Sequence, residues 1–213
     1  EAEFAAQEDV KMMAHNGLHA FLSFLGTLRG RQYFCELRAD ADLMRATDEM
    51  MRDEVGRALL GKHGAALDRN FWFNYAPTIL RRITCPGLHD PLSRGTRGPM
   101  RKLQRWERLV GGLVTIAAQG IAPRIYAGGV AAAVLVAQRT GETDLALRDV
   151  LIQHGELDPD AEADLIELCE QRRDELHRAR HHKGPVREVA MVERRDGEHA
   201  DRVEPDRHQH RHR

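Results

Sequence analysis

The sequence predicts a mainly α-helical, multi-helical fold, and three observations lead to that prediction. Apolar residues recur every three or four positions over most of residues 1–180, which is the spacing of one helix face. The composition is 42% hydrophobic but only 5% aromatic, and it is rich in Ala, Leu, Arg and Glu, which favour helices. The sequence shows neither strands alternating with helices nor a Gly-x-Gly-x-x-Gly turn.

The first half of the chain predicts three long helices. The first covers residues 5–28 and the second covers residues 41–62, each with apolar residues spaced for burial. Asp40 precedes the second helix and is expected to cap its first turn. The third covers residues 71–83, and Pro77 is expected to bend or interrupt it.

The second half predicts a loop followed by four more helices. Residues 86–99 are rich in Pro and Gly and are expected to form the loop. The helical patterns then cover residues 107–119, 125–139, 144–154 and 160–180.

The composition changes after about residue 180. Arg, His, Glu and Asp dominate, so residues 181–213 are expected to be a disordered tail following a domain of residues 1–180. His208, His210 and His212 alternate with Gln and Arg, a pattern that also permits transition-metal binding. A solvated tail is the favoured interpretation, because nothing fixes a coordination geometry.

Charge and cysteine content exclude several function classes. A formal net charge of -1 gives no reason to expect binding to nucleic acid or to an anionic membrane. The most apolar stretch, residues 125–137, is too short to span a bilayer. Cys35, Cys85 and Cys169 are odd in number and far apart, which favours reduced thiols. With no visible signal peptide, a cytoplasmic location is expected.

The first cluster of chemical interest lies on the first predicted helix. On an α-helix, Lys11, His15 and His19 share a face, and Asn16 lies about 100° round from His15. Polar side chains on an otherwise apolar helix suggest that the helix lines a polar pocket. A desolvated lysine can act as a general base, an asparagine amide can stabilise an oxyanion, and a histidine can orient a hydroxyl.

Two other interpretations of this cluster stay open. The side chains can form a solvated polar face. His15 and His19 also have the i, i+4 spacing of a zinc helix, but no Glu occupies the position that a metalloprotease uses as a base.

The second cluster is basic and covers residues 94–108, where Glu107 is the only acid. Its Gly and Pro residues turn the backbone sharply, so several cations can converge on a phosphate or another polyoxygenated anion. A solvated basic loop is the plainer interpretation. Trp106 also permits base stacking with nucleic acid, although one short patch on a neutral chain supports that weakly.

Together these clusters resemble the C-terminal domain of the polyol-specific long-chain dehydrogenases, the mannitol dehydrogenase type. That family's catalytic pattern is a Lys, an Asn five residues later and a His three residues after that. Here the pattern falls on Lys11, Asn16 and His19, and the sequence continues as Ala-Phe-Leu-Ser-Phe-Leu-Gly.

The resemblance extends over residues 8–122. Residues 79–90 are similar to the family's Arg-Phe-x-Asn-Pro-x-Leu-x-Asp segment, with Ile83 in place of Phe and Cys85 in place of Asn. The Pro-Met-Arg-Lys-Leu of residues 99–103 is most similar to the mannitol-1-phosphate branch.

The resemblance implies a role for each site residue. Lys11 would be the general base, Asn16 would stabilise the developing alkoxide, and His19 would position the hydroxyl. Arg94 and Lys102 have the family's eight-residue spacing and would grip distal substrate oxygens or a phosphate. The family needs no metal.

The resemblance also implies NAD as cofactor, bound mainly by a nucleotide-binding domain that precedes the lysine helix in the family. Only ten residues precede Lys11 here. One expectation is therefore the catalytic part of a polyol dehydrogenase, inactive without its nucleotide-binding domain. The alternative is a non-catalytic sugar-phosphate-binding relic or partner subunit.

Overall fold

The computed structural model describes the backbone of residues 1–182 and the side chains of residues 1–179. All the regular elements in this part of the chain are helices, and one isolated antiparallel bridge joins Tyr33 and Pro91. The α-helices are α1 (Ala2–Asp9), α2 (Leu18–Leu28), α3 (Ala41–Glu49), α4 (Arg57–His63), α5 (Arg69–Ile83), α6 (Leu92–Thr96), α7 (Pro99–Lys102), α8 (Val110–Ala118), α9 (Tyr126–Thr140), α10 (Leu147–Gln153) and α11 (Ala163–His182). The prediction of a mainly α fold is confirmed.

The first helix contains a π-helical segment that the sequence did not predict. The segment π1 (Val10–Gly17) joins α1 to α2 without a break, since both Asp9 and Leu18 have right-handed helical angles. A π-helix bonds each N–H to the carbonyl five residues back, instead of four, and such segments are rare and frequent at functional sites. The expected helix is therefore present, with a different register in its middle.

The second helix is built in the same way. The segment π2 (Met50–Gly56) joins α3 to α4. The predicted cap is confirmed, because the Asp40 carboxylate accepts from the Leu43 N–H at 3.0 Å. The helix ends at Gly64, whose φ of 54° is accessible to a residue without a side chain.

The third helix, α5, continues through Pro77 without interruption. Proline removes one N–H from the helix ladder, the one that would bond to the carbonyl of Phe73. Both residues are on the exposed side, where water can reach that carbonyl. The expected interruption is therefore wrong.

Residues 86–99 are more regular than the expected loop. A 3₁₀ turn covers Pro86–Leu88, and α6 and the start of α7 follow it. Two backbone bonds hold this stretch against the segment after α2: Phe34 N–H donates to Asp90 O at 3.0 Å, and Leu92 N–H donates to Gln32 O at 2.8 Å.

The last helices complete the core, and α9 packs against α2. The apolar face of α9 is fully buried between α2 and α11. Helix α11 begins later than expected, because the Asp158 carboxylate accepts from the N–H groups of Asp160 and Ala161 and holds them in a turn. No helix of residues 1–182 is long and apolar enough to cross a membrane. The tail expected over residues 181–213 lies outside the described residues, apart from the end of α11.

Candidate active site

Lys11 lies on π1 and is the most exposed of the predicted catalytic residues. Its side chain is 67% exposed, and its ammonium group lies 3.8 Å from the Glu8 carboxylate. A cavity of about 350 Å³ lies beside it, with Leu67, Phe71 and Tyr75 among its wall residues. Lys11 is thus solvated in the described part of the chain, and the residues around it do not supply the desolvation that favours a general base.

His15 and Asn16 follow on π1 and are both half-buried. Burial lowers the pKa of His15, and the nearby charges of Arg82 and Lys11 lower it further. His15 therefore favours the neutral form, in which one ring nitrogen donates and the other accepts.

His19 begins the part of the site that lies on α2. Its Nε2 atom lies 3.6 Å from the Asp90 carboxylate, and its ring lies 4.4 Å from the Phe34 ring. Burial lowers the pKa of His19, while the Asp90 carboxylate opposes this shift. The imidazole is thus held in place from two sides.

Asp90 reaches His19 because its backbone is fixed in two ways. Its carbonyl accepts from Phe34 N–H in the bond described above. The preceding residue, His89, has a left-handed φ of 41° that turns the chain toward α2, and its ring packs edge-on against Tyr33 at 5.5 Å. A non-glycine residue in this conformation is uncommon and marks a turn that its surroundings enforce.

Arg94 shares the Asp90 carboxylate. Its guanidinium donates to Asp90 Oδ1 at 2.8 Å, and its side chain is 63% exposed. The next residue, Gly95, allows α6 to approach α2 closely, because a Cβ there would overlap Ser23 and lie 3.0 Å from His19 Cε1. The cation is therefore held beside the imidazole with one side open to solvent.

Lys102, in contrast, is the buried lysine of the site, with only 4% of the residue exposed. Its ammonium group donates to the Arg97 carbonyl and lies 6.0 Å from the centre of the Phe24 ring on α2. Burial lowers its pKa to about 8, and the charges of Arg108 and Arg101 add to this shift.

The other cations of residues 94–108 do not converge on one point. Three of them have acidic partners: Arg101 and Arg108 bond to Glu107, and Arg105 bonds to Glu162 at 2.8 and 2.9 Å. Arg94 is paired as well, with Asp90, so the structure does not bring the cations of this segment to one point.

Comparison with known proteins decides the family. The sequence profile of the mannitol dehydrogenase C-terminal domain matches residues 4–171. The chain belongs to the mannitol dehydrogenase family. The resemblance inferred from the Lys, Asn and His pattern is confirmed at this level.

Curated relatives of this mannitol dehydrogenase domain are mannitol-1-phosphate 5-dehydrogenases. The protein of Caldanaerobacter subterraneus is 31% identical over 173 residues, which is 78% of this chain and 44% of the relative. The protein of Arthrobacter sp. is 36% identical over 123 residues, 58% of this chain and 31% of the relative. That of Aspergillus terreus is 34% identical over 110 residues, 52% of this chain and 28% of the relative. The chain spans less than half the length of these relatives.

Other predicted sites of the mannitol dehydrogenase domain receive no support from the geometry. Among residues 1–182, no three His, Cys, Asp or Glu side chains are grouped as metal ligands would be. His208, His210 and His212 lie outside that range. Trp106 is 80% exposed.

Sequence reasoning missed two residues of the mannitol dehydrogenase domain that organise the site. Asp90 ends the stretch of residues 79–90 that is similar to the family. Its role depends on its carboxylate reaching His19 on α2, and the spacing of residues in the sequence does not show that contact. Tyr126 lies 115 positions after Lys11, yet its hydroxyl lies against Gly17 at the end of π1. The large groove of about 810 Å³ between α8 and α11 contains none of the predicted site residues.

Proposed function

We propose that this chain is the substrate-binding and proton-transfer part of an NAD-dependent polyol dehydrogenase that acts on mannitol 1-phosphate or a closely similar sugar phosphate. The observation that carries the proposal is the arrangement on one helix. Lys11 and Asn16 lie on π1 and His19 follows on α2. Arg94 bonds to the Asp90 carboxylate beside His19, and Lys102 lies 6.0 Å from the centre of the Phe24 ring on α2.

In the proposed reaction, the Nζ atom of Lys11 takes the proton of the alcohol as the carbon loses a hydride. The Asn16 amide donates to the oxygen while it carries developing negative charge. His19 donates to or accepts from the same hydroxyl and sets its orientation. In ketone reduction, Lys11 returns the proton to the oxygen as the carbon gains a hydride, and Asn16 and His19 contact the same oxygen.

Arg94 and Lys102 are proposed to bind the distal end of the substrate. The Arg94 guanidinium is open to solvent on one side and suits a phosphate, because its fork of donors matches two oxygens. Lys102 is a buried point charge and contributes an ammonium donor.

NAD, when bound, would accept the hydride. The described residues contain no strand followed by a glycine turn and a helix, the unit that binds a dinucleotide pyrophosphate. We propose that NAD is held by a nucleotide-binding domain outside the described residues. The side chains of this chain contribute substrate binding and proton transfer.

A second candidate function is a non-catalytic sugar-phosphate-binding module or partner subunit. The exposure of Lys11 favours it, since a solvated lysine is a poor base near neutral pH. The two candidates share Arg94 and Lys102 as substrate ligands and differ in whether Lys11 has a role.

One experiment with two arms separates these candidates. The 213-residue chain is titrated calorimetrically with fructose 6-phosphate, with fructose as the control ligand. The whole gene product is assayed for NADH oxidation with the same sugar phosphate. Binding together with turnover supports the dehydrogenase, binding without turnover supports the module, and the absence of both overturns the two candidates.

A further inference from the structure

The π register of π1 changes which site residues lie together. On an ordinary α-helix, Lys11 and Asn16 are five residues apart and lie about 140° apart around the axis. In a π-helix the N–H of residue i+5 bonds to the carbonyl of residue i, so residues five apart lie nearly above one another. The segment Val10–Gly17 thus places Asn16 on the same side as Lys11.

The hydroxyl of Tyr126 occupies the place where a side chain of Gly17 would lie. A Cβ at Gly17 would lie 2.5 Å from the Tyr126 hydroxyl oxygen and 3.4 Å from the Arg108 carbonyl oxygen. That hydroxyl donates to the Arg108 carbonyl. Gly112 on α8 lies on another side of the same phenol, where a Cβ would also overlap it. The end of π1 is therefore in direct contact with Tyr126.

The backbone of Tyr126 is fixed from the second π segment. The Glu54 carboxylate accepts from Ile125 N–H at 2.7 Å and from Tyr126 N–H at 2.9 Å. Glu54 lies within π2 and is buried, and that burial raises its pKa against the opposing effect of the two N–H donors. Tyr126 itself is fully buried, so neither end of the residue is free to move independently of π1 and π2.

Both π segments end in a glycine against an aromatic donor. Gly17 ends π1 against the Tyr126 hydroxyl, and Gly56 ends π2 against the Trp72 indole N–H, where a Cβ would overlap Nε1. The repetition indicates that the wide π turn depends on an aromatic group that fits against a missing side chain.

We propose that Tyr126 is a positioning residue for the dehydrogenase reaction proposed above: its hydroxyl, seated against Gly17, holds the π register that places Asn16 on the side of Lys11. The inference rests on the proposed function for its catalytic consequence. Its structural part, the register of π1, stands without any activity.

The first test measures the register in the 213-residue chain. In a π-helix the Asn16 N–H bonds to the Lys11 carbonyl, whereas in an α-helix it bonds to the Met12 carbonyl. NMR couplings across hydrogen bonds distinguish the two. Tyr126→Phe, which removes only the hydroxyl, is expected to shift the coupling toward Met12. Gly128→Ala is the matched control, since a Cβ there meets nothing within 4 Å.

The second test uses the whole gene product and a pair of variants. Gly17→Ala is expected to lower kcat roughly 10- to 100-fold with KM changed less than about twofold, because small displacements of reacting groups cost this much. The double variant Gly17→Ala/Tyr126→Phe is expected to recover most of that loss. The new methyl group then fills the space that the hydroxyl leaves, with its next neighbour 3.4 Å away.

The outcomes separate this inference from the proposed function. A Tyr126→Phe chain that folds and keeps the Asn16-to-Lys11 coupling overturns the inference, as does a double variant no more active than Gly17→Ala. If Tyr126→Phe does not fold, Glu54→Gln, which loosens the Tyr126 backbone, gives the same register readout. An inactive wild-type gene product overturns the proposed function, while the NMR result still decides the role of Tyr126 in the register.

Discussion

His19 and Arg94 share one carboxylate: Asp90 Oδ2 lies 3.6 Å from His19 Nε2, and Asp90 Oδ1 accepts from Arg94 at 2.8 Å. The imidazole proposed to orient the reacting hydroxyl and the cation proposed to bind the distal end are thus connected through a residue that contacts both. In the proposed substrate site, Asp90 would therefore fix His19 and Arg94 relative to each other.

Asp90→Asn is expected to lower the pKa of His19 further below its usual value. Burial already lowers that pKa and the Asp90 charge opposes the shift, so removing the charge leaves the burial effect unopposed. NMR titration of the His19 ring in the 213-residue chain measures this. Asp42→Asn is the control, because Asp42 pairs with Arg45 on the surface of α3. An unchanged His19 titration in Asp90→Asn would contradict the assignment.

The pKa of Lys102 is lowered to about 8, so we expect sugar-phosphate affinity to fall as the pH rises through that value. The lysine is charged below that pH and neutral above it, whereas a phosphate ester with a second pKa of about 6 stays dianionic throughout. Calorimetric titrations with fructose 6-phosphate from pH 7 to pH 10 measure the effect. Lys102→Met is expected to bind more weakly and to lose this pH dependence. If the affinity of Lys102→Met still falls with rising pH, the titrating group is not Lys102.

The lowered pKa of Lys102 also predicts that the free energy of unfolding rises with pH. The folded-state pKa of Lys102 is about 8 and lies below the ordinary value of 10.5. Between these values the unfolded chain binds more protons than the folded chain, so its stability increases with pH over that window. Urea unfolding at several pH values between about 8 and 10.5 checks this. Lys102→Met is expected to reduce the change of the free energy of unfolding with pH. Lys62→Met, at a more exposed lysine, is expected to leave that change as in the wild type.

Lys11→Ala in the whole gene product is expected to reduce kcat by several orders of magnitude, as removal of a general base does. The free energy of unfolding is expected to change by less than about 0.5 kcal/mol, because the side chain is exposed and its pairing with Glu8 is a surface one. Lys62→Ala is the control. Near-normal turnover in Lys11→Ala would remove the base assignment and assign the proton transfer to another group.

The sequence was sufficient to predict the helices, the Asp40 cap and the family, because helical periodicity and the Lys11, Asn16 and His19 spacing are local properties. It was insufficient for the π segments, because the residue that contacts the end of π1, Tyr126, lies far along the chain and no local pattern shows that contact. It also left open whether Lys11 and Lys102 are solvated or buried. Lys11 lies at an exposed position, whereas Lys102 lies under α2, and residue type alone does not distinguish the two.

Arg94→Ala is expected to have two measurable effects of different origin. Loss of the guanidinium removes a charge-assisted bond to the substrate and raises KM for fructose 6-phosphate roughly 10- to 100-fold with a smaller change in kcat. The Arg94 charge also lowers the pKa of His19, so its removal is expected to raise that pKa, opposite to the effect of Asp90→Asn.

The opposite signs make the comparison of the two variants decisive. Arg45→Ala is the control, since Arg45 also pairs with a nearby acid, Asp42, but lies on α3. If Arg94→Ala and Asp90→Asn shift the His19 titration in the same direction, the shared-carboxylate arrangement is not what sets the imidazole's charge. If KM stays unchanged in Arg94→Ala, Arg94 does not bind the distal end of the substrate, and Lys102 alone remains as its proposed cation.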